Sequence, residues 1–113
     1  MAATYVSNIT VNSGEDFEQT FTLESTDSSS ALNLTGYSVS SQMRKHAGSS
    51  TKTDFTAEAL TPLTDGKIKI SLTNTQTSEL KAGRYVYDVV IEKDSTKTRV
   101  VEGMVLVRQG VTR

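Results

Sequence analysis

Apolar and polar residues alternate along most of this chain with a period close to two. In "GKIKISLT" (66–73), for example, Ile68, Ile70 and Leu72 share one side. Because successive side chains of a β-strand point to opposite faces, the pattern predicts antiparallel sheets with one buried face. About seven such segments in 113 residues predict a two-sheet β-sandwich. The predicted strands cover 4–11, 16–25, 37–45, 52–60, 66–73, 84–93 and 98–108.

The connecting stretches are rich in Ser, Thr, Asp and Gly, the residues that favour turns. One connection differs, because "TNTQTSELKAG" (73–83) has the composition of a short helical turn. Its expected N-cap is Asn74 or Thr75, and Leu80 is expected to point into the core. Gly83 is expected to end the turn in a left-handed conformation.

The stretch "LKAGRYVYDVVIEK" (80–93) indicates which sandwich this is. In immunoglobulin-like domains, a tyrosine near the start of the sixth strand hydrogen-bonds back to the preceding turn, two residues before a cysteine position. Tyr85 has this spacing, and Tyr87 stands at the cysteine position. We therefore predict an all-β, immunoglobulin-like antiparallel β-sandwich as a single domain over residues 1–113. Gly83 and Tyr85 form its structural corner.

The last predicted strand is apolar on both of its alternating sides. One side carries Val101, Val105 and Val107, and the other carries Val100, Met104 and Leu106. The second set needs a cover, either a neighbouring subunit or a loop of the same domain. Gly103 in the middle of the strand predicts a bulge or a close approach of another backbone segment.

Composition excludes several classes of function. The 12 Lys and Arg residues nearly balance the 13 Asp and Glu residues, so no net field attracts nucleic acid or an anionic membrane. No stretch approaches the roughly 20 apolar residues of a membrane span, and the start lacks a signal-peptide pattern. The absence of cysteine removes disulfides and zinc-thiolate sites and is compatible with synthesis in a reducing cytoplasm.

Residues that could carry chemistry are sparse. His46 is the only histidine, and the sequence offers it no catalytic partners. No phosphate-binding loop or alternating aspartate loop is present, so we predict no enzymatic activity, no cofactor and no metal site, and leave calcium between loops open. Most aromatic residues fit inward strand positions, which leaves Tyr5 as the one ring predicted to be free for stacking on a ligand.

Four stretches in order carry a resemblance to a known family: "ITVNSGEDFEQTFTL", "LNLTGYSVSSQMRK", "LKAGRYVYDVVIE" and "TRVVEGMVLVRQGVTR". Over most of its length the chain resembles short virion proteins of tailed bacteriophages, including cyanophages. It is also similar to the N-terminal immunoglobulin-like module of phage baseplate upper proteins, but it ends shortly after its last strand. We therefore expect it to be a stand-alone subunit.

The resemblance implies a non-enzymatic virion structural protein, made in the host cytoplasm, that attaches to or links tail, baseplate or neck components. Its implied partners are other virion proteins, in a homo-oligomeric or symmetric arrangement. A capsid decoration protein on the head surface is the first alternative, and a host-surface glycan-binding module is the second. Combined with the two-sided last strand, this reading predicts subunit contacts at Val100, Met104, Leu106, Arg108 and Arg113.

Overall fold

The structure is a computed structural model that describes residues 5–24 and 31–111. These ranges contain strands that pack as two sheets, one short α-helix and a single 3-10 turn at Leu63–Asp65. The strands are β1 (Tyr5–Val6), β2 (Ile9–Asn12), β3 (Phe17–Thr22), β4 (Ser38–Arg44), β5 (Lys52–Asp54), β6 (Thr56–Ala59), β7 (Lys67–Leu72), β8 (Gly83–Lys93) and β9 (Thr96–Arg108), and the helix is α1 (Asn74–Ser78).

The larger sheet has six strands and the smaller sheet has three. In the larger sheet β1 and β2 both pair with β9, followed in order by β8, β4 and β5, whereas the smaller sheet has the order β3, β7, β6. This division of the strands is that of an immunoglobulin-like β-sandwich, and it confirms the predicted fold class.

The first predicted strand differs from the expectation in two ways. It is divided into β1 and β2, and both run parallel to β9, whereas we expected an entirely antiparallel sandwich. Alternation along the chain shows which side chains face the core, but it does not show strand direction. That direction depends on a partner almost a hundred residues away in sequence.

The predicted strand 52–60 is also two strands, and they belong to different sheets. The chain changes sheets at Phe55, whose side chain is buried between the sheets. The Phe55 amide donates to the Ser41 carbonyl across 3.0 Å, so β5 and β6 meet at a sharp bend held by β4.

A bulge in the β8–β9 ladder explains why Val100 and Val101 are both fully buried. Val89 lies opposite Val101, but its neighbour Val90 lies opposite Arg99, which leaves Val100 as the extra residue. The bulge turns Val100 into the core instead of out with Met104 and Leu106. The prediction of Val100 as a subunit contact is therefore wrong.

Gly103 is the residue of β9 against which the junction of β1 and β2 lies closely. A Cβ atom at this position would collide with the carbonyl oxygen of Ser7. The Ser7 amide donates to Glu102 O at 2.9 Å, and the Met104 amide donates to Asn8 Oδ1 at 3.0 Å. The close approach predicted at Gly103 is present, whereas the bulge lies at Val100.

Helix α1 is capped one residue earlier than expected. Thr73 is the N-cap, and it exchanges hydrogen bonds with Gln76 in a capping box. The prediction of Asn74 or Thr75 as the cap is wrong, because it overlooked that the Thr73 hydroxyl stands three residues before a glutamine that can return the bond.

The end of the helix also differs from the prediction. Glu79 is the C-cap of α1, and Gly83 instead opens β8, with a φ of 145°. Leu80 packs against the core, as the pattern indicated. The helix is tied to the turn after β2 by the buried Thr77 hydroxyl, which accepts from the Gly14 amide at 3.1 Å and donates to Glu15 O at 2.8 Å.

Gly103→Ala tests the close approach of the β1–β2 junction to β9. We expect the free energy of unfolding to fall by about 1 to 3 kcal/mol, because Ser7 and its neighbours must move away from the new methyl group. Urea unfolding followed by circular dichroism measures the change. Gly48→Ala is the matched control, since its new Cβ would meet only His46, at ordinary contact distance. Equal stability of the two variants would contradict the close approach of Ser7 to Gly103.

Candidate functional site

Tyr85 makes the hydrogen bond that defines a tyrosine corner. Its hydroxyl donates to the carbonyl oxygen of Lys81 across 2.8 Å, which fixes the turn before β8. The ammonium of Lys45 lies 4.9 Å from the centre of the Tyr85 ring, within cation–π range. Both the hydroxyl and the ring of Tyr85 therefore make contacts within the same chain, which favours a structural role for this residue.

Tyr87 occupies the position where antibody domains carry a cysteine, and it joins the two sheets without a disulfide. Its ring centre lies 6.5 Å from that of Phe21 on the smaller sheet and 6.2 Å from that of Phe55. Its hydroxyl donates to Ser7 O at 2.6 Å. Burial raises the pKa of the Tyr87 hydroxyl above its ordinary value of 10.0.

The strongest candidate for a functional surface is the outer face of the larger sheet around the end of β9. We call it the contact face and define it by the outward side chains of Val6, Arg84, Val86, Met104 and Leu106. Met104 is 46% exposed, Leu106 is 43% exposed and Val6 is 75% exposed. This face therefore presents several apolar side chains to water.

Strand pairing brings these residues together. Across the β8–β9 ladder, Val86 lies opposite Met104 and Arg84 lies opposite Leu106. Residues 8–10 lie beside Met104 and Leu106, and together with Arg84 they line a shallow groove of about 300 Å³. The contact face is thus a broad, regular surface.

The predicted contact residues have different outcomes. Met104, Leu106 and Arg108 are exposed along β9, Val100 is in the core, and Arg113 lies outside the described residues. Val6, Arg84 and Val86 were not among the predicted contact residues. The alternation on β8 already placed Arg84 and Val86 on the side opposite Tyr85 and Tyr87, but only strand register shows that they adjoin Met104 and Leu106.

A charged cluster borders the contact face on the same side of the sheet. Arg99 Nε lies 3.2 Å from an Asp88 carboxylate oxygen, and Arg99 Nη1 lies 3.4 Å from one of Glu102. Arg44 lines a pocket beside this cluster, and its guanidinium donates to Ser49 O at 2.6 Å and to Gln42 Oε1 at 3.0 Å. Within the described part of the chain, Arg84 makes no ion pair.

The other residues considered for chemistry are not brought together. His46 is exposed in the turn after β4, where its carbonyl accepts from the Ser49 amide. Residues 5–24 and 31–111 contain no group of three or more His, Asp or Glu side chains that could hold a metal ion. Tyr5 is 36% exposed at the sheet edge.

Comparison with known proteins identifies no family. No family model matches the chain, and no curated protein matches it. Among the described elements, no helix has the length and apolar character to cross a membrane.

Solved structures that match include InlP of Listeria monocytogenes, at 14% identity and a TM-score of 0.49, over 90% of this chain and 26% of that one. Murine CRIg matches at 10% identity and a TM-score of 0.45, over 97% of each chain. A family 123 glycoside hydrolase from Clostridium perfringens matches at 9% identity and a TM-score of 0.44, over 96% of this chain and 24% of that one. The chain thus spans about a quarter of InlP and of the hydrolase.

Removing single hydroxyl groups tests the two structural tyrosines. We expect Tyr85→Phe and Tyr87→Phe each to lower the free energy of unfolding by about 0.5 to 1.5 kcal/mol, because each loses one hydrogen bond to a backbone carbonyl. Thermal or urea unfolding measures the change. Tyr37→Phe is the matched control, since the Tyr37 hydroxyl makes no hydrogen bond with the described residues. A loss as large in this control would contradict the assignment.

The raised pKa of Tyr87 predicts a loss of stability in alkali. The folded protein holds this proton more tightly than the unfolded chain does, so the contribution to stability is complete below about pH 10 and is lost as the pH rises through the folded pKa. We expect Tyr87→Phe to lose less of its unfolding free energy above about pH 10 than the wild type. Urea unfolding over a pH series measures it. Identical alkaline slopes would contradict the prediction.

Proposed function

We propose that this protein is a non-enzymatic structural subunit of a tailed-bacteriophage virion that attaches to or links tail, baseplate or neck components. The resemblance of four stretches to phage virion proteins supports the biological setting. The observation that carries the proposal is the contact face, where Met104 and Leu106 stand exposed on a regular sheet. A subunit with this role is made in the host cytoplasm and then joins the particle.

The shape of the contact face favours a protein partner. Its side chains stand on adjacent paired strands, so they form a surface that is broad and shallow instead of a deep pocket. Its apolar centre is bordered by Arg84 and by the Asp88–Arg99–Glu102 cluster, which matches the apolar core and polar rim of protein–protein interfaces.

Two variants test whether the contact face attaches the subunit to the particle. We expect Met104→Glu and Leu106→Glu to reduce incorporation into particles at least about tenfold, because each buries a charge in the interface. Both side chains are exposed, so the midpoint of thermal unfolding should change little. Quantitative mass spectrometry of purified particles from complemented infections measures incorporation.

Thr20→Glu is the matched control for these variants. Thr20 is exposed on β3 in the smaller sheet, where its pairing partner is Lys69. Normal incorporation is expected for this variant. Wild-type incorporation of Met104→Glu and Leu106→Glu would contradict attachment through the contact face, and absence of the wild-type chain from particles would contradict the proposed function as a whole.

The copy number per particle distinguishes the tail from the capsid. Tail, baseplate and neck components form closed rings, so we expect a small multiple of three or six copies per particle. The same mass-spectrometric measurement, scaled to the major capsid protein, determines this number. A number close to that of the capsid protein would instead assign the chain to the head surface as a decoration protein.

A further inference from the structure

We propose that the contact face binds the contact face of a second copy of this chain, related by a two-fold axis at the level of Val86 and Met104. The inference rests on the proposed function, because it names a partner for the same face. The order of charges along β8 supports it, because Arg84, Val86 and Asp88 point outward in succession.

The charge changes sign symmetrically about Val86. Outward side chains of a strand are spaced by two residues, or about 6.8 Å, so Arg84 and Asp88 lie at equal distances on opposite sides of Val86. A two-fold axis between the two sheets, perpendicular to the strands at this level, places the two copies of β8 antiparallel. Arg84 of each copy then meets Asp88 of the other, and two opposite-charge pairs form at once.

The centre of this arrangement is apolar. Val86 and Met104 are neighbours across the β8–β9 ladder, so the axis places two valines and two methionines together. These side chains lose contact with water when the copies meet, which provides the main driving force. Leu106 of each copy comes to the level of Glu102 in the other, whose carboxylate is already held by Arg99.

The neighbouring charges include one that favours this arrangement and one that opposes it. Asp88 already has Arg99 at 3.2 Å, and Arg84 of the second copy adds a second cation to the same carboxylate. Arg44 lies on β4 opposite Val86, close to the axis, where two copies of it would repel each other. Its guanidinium donates to Ser49 and Gln42 of its own chain, but the side chain lines a pocket with Val86 and Asp88, so its charge opposes the pairing that the Arg84–Asp88 contacts and the apolar centre favour.

Charge reversal tests the dimer. We expect the wild type to dimerise in sedimentation velocity at micromolar concentration. Arg84→Asp and Asp88→Arg, each measured alone, should dimerise at least about tenfold more weakly, because each replaces two attractive pairs with two repulsive ones. An equimolar mixture of the two variants should recover dimers, since reversed charges then face each other.

The matched control is Lys67→Asp, which makes the same change of charge at an exposed position on β7 in the smaller sheet. Its dimerisation should equal that of the wild type. Thermal unfolding of each variant checks that the chain is folded. Asp88→Arg loses the ion pair with Arg99 and is expected to be less stable for that reason. Recovery of dimers in the mixture still tests the pairing in that case, because a misfolded variant could not restore them.

The outcomes separate this inference from the proposed function. A monomeric wild type, or a mixture that does not recover dimers, overturns the two-fold pairing even if Leu106→Glu still abolishes incorporation into particles. Dimers that respond to charge reversal as expected support the pairing, and they do so even if the chain is absent from particles and the virion role fails.

Discussion

The contacts of Tyr87 join the two sheets and the first strand of this structure. Its ring packs on Phe21 of the opposite sheet and on Phe55, where the chain crosses between the sheets. Its hydroxyl reaches Ser7 at the junction of β1 and β2. One buried aromatic residue thus performs at this position the task that a disulfide performs in antibody domains, by dispersion and a hydrogen bond instead of a covalent link. That is consistent with a chain that contains no cysteine.

The same junction determines which side of β9 is free. Because Gly103 has no side chain, the backbone at Ser7 can lie against it, and β1 and β2 can follow β9 as parallel neighbours. The inner side of β9 is then filled by the core, whereas Met104 and Leu106 remain outside. The docking of the first strand thus adds Val6 to the face that β8 and β9 form, and the two-fold pairing we propose uses this exposed surface.

Much of the fold could be predicted from the chain alone, because alternation is a local property of strands. The segments around Ile68 to Leu72 and around Tyr85 to Tyr87 could be assigned to buried faces from their own residues. The tyrosine hydroxyl at position 85 reaches a carbonyl only four residues away, so spacing was sufficient to place it. Val100 was misassigned because a bulge changes the side on which every following residue points, and nothing in "RVVEGM" marks the extra residue.

The amino-acid sequence by itself determined the rough position of the strand-forming segments, the absence of thiol chemistry and the apolar character of β9, but not the division of two of these segments into separate strands. These follow from composition and short-range periodicity, which need no partner strand. Tertiary structure decided the parallel docking of the first strand, the crossing between sheets at Phe55, and the assembly of Val6, Arg84, Val86, Met104 and Leu106 into one face. Each of these depends on register between segments distant in sequence, and register is set by the packing of the whole core.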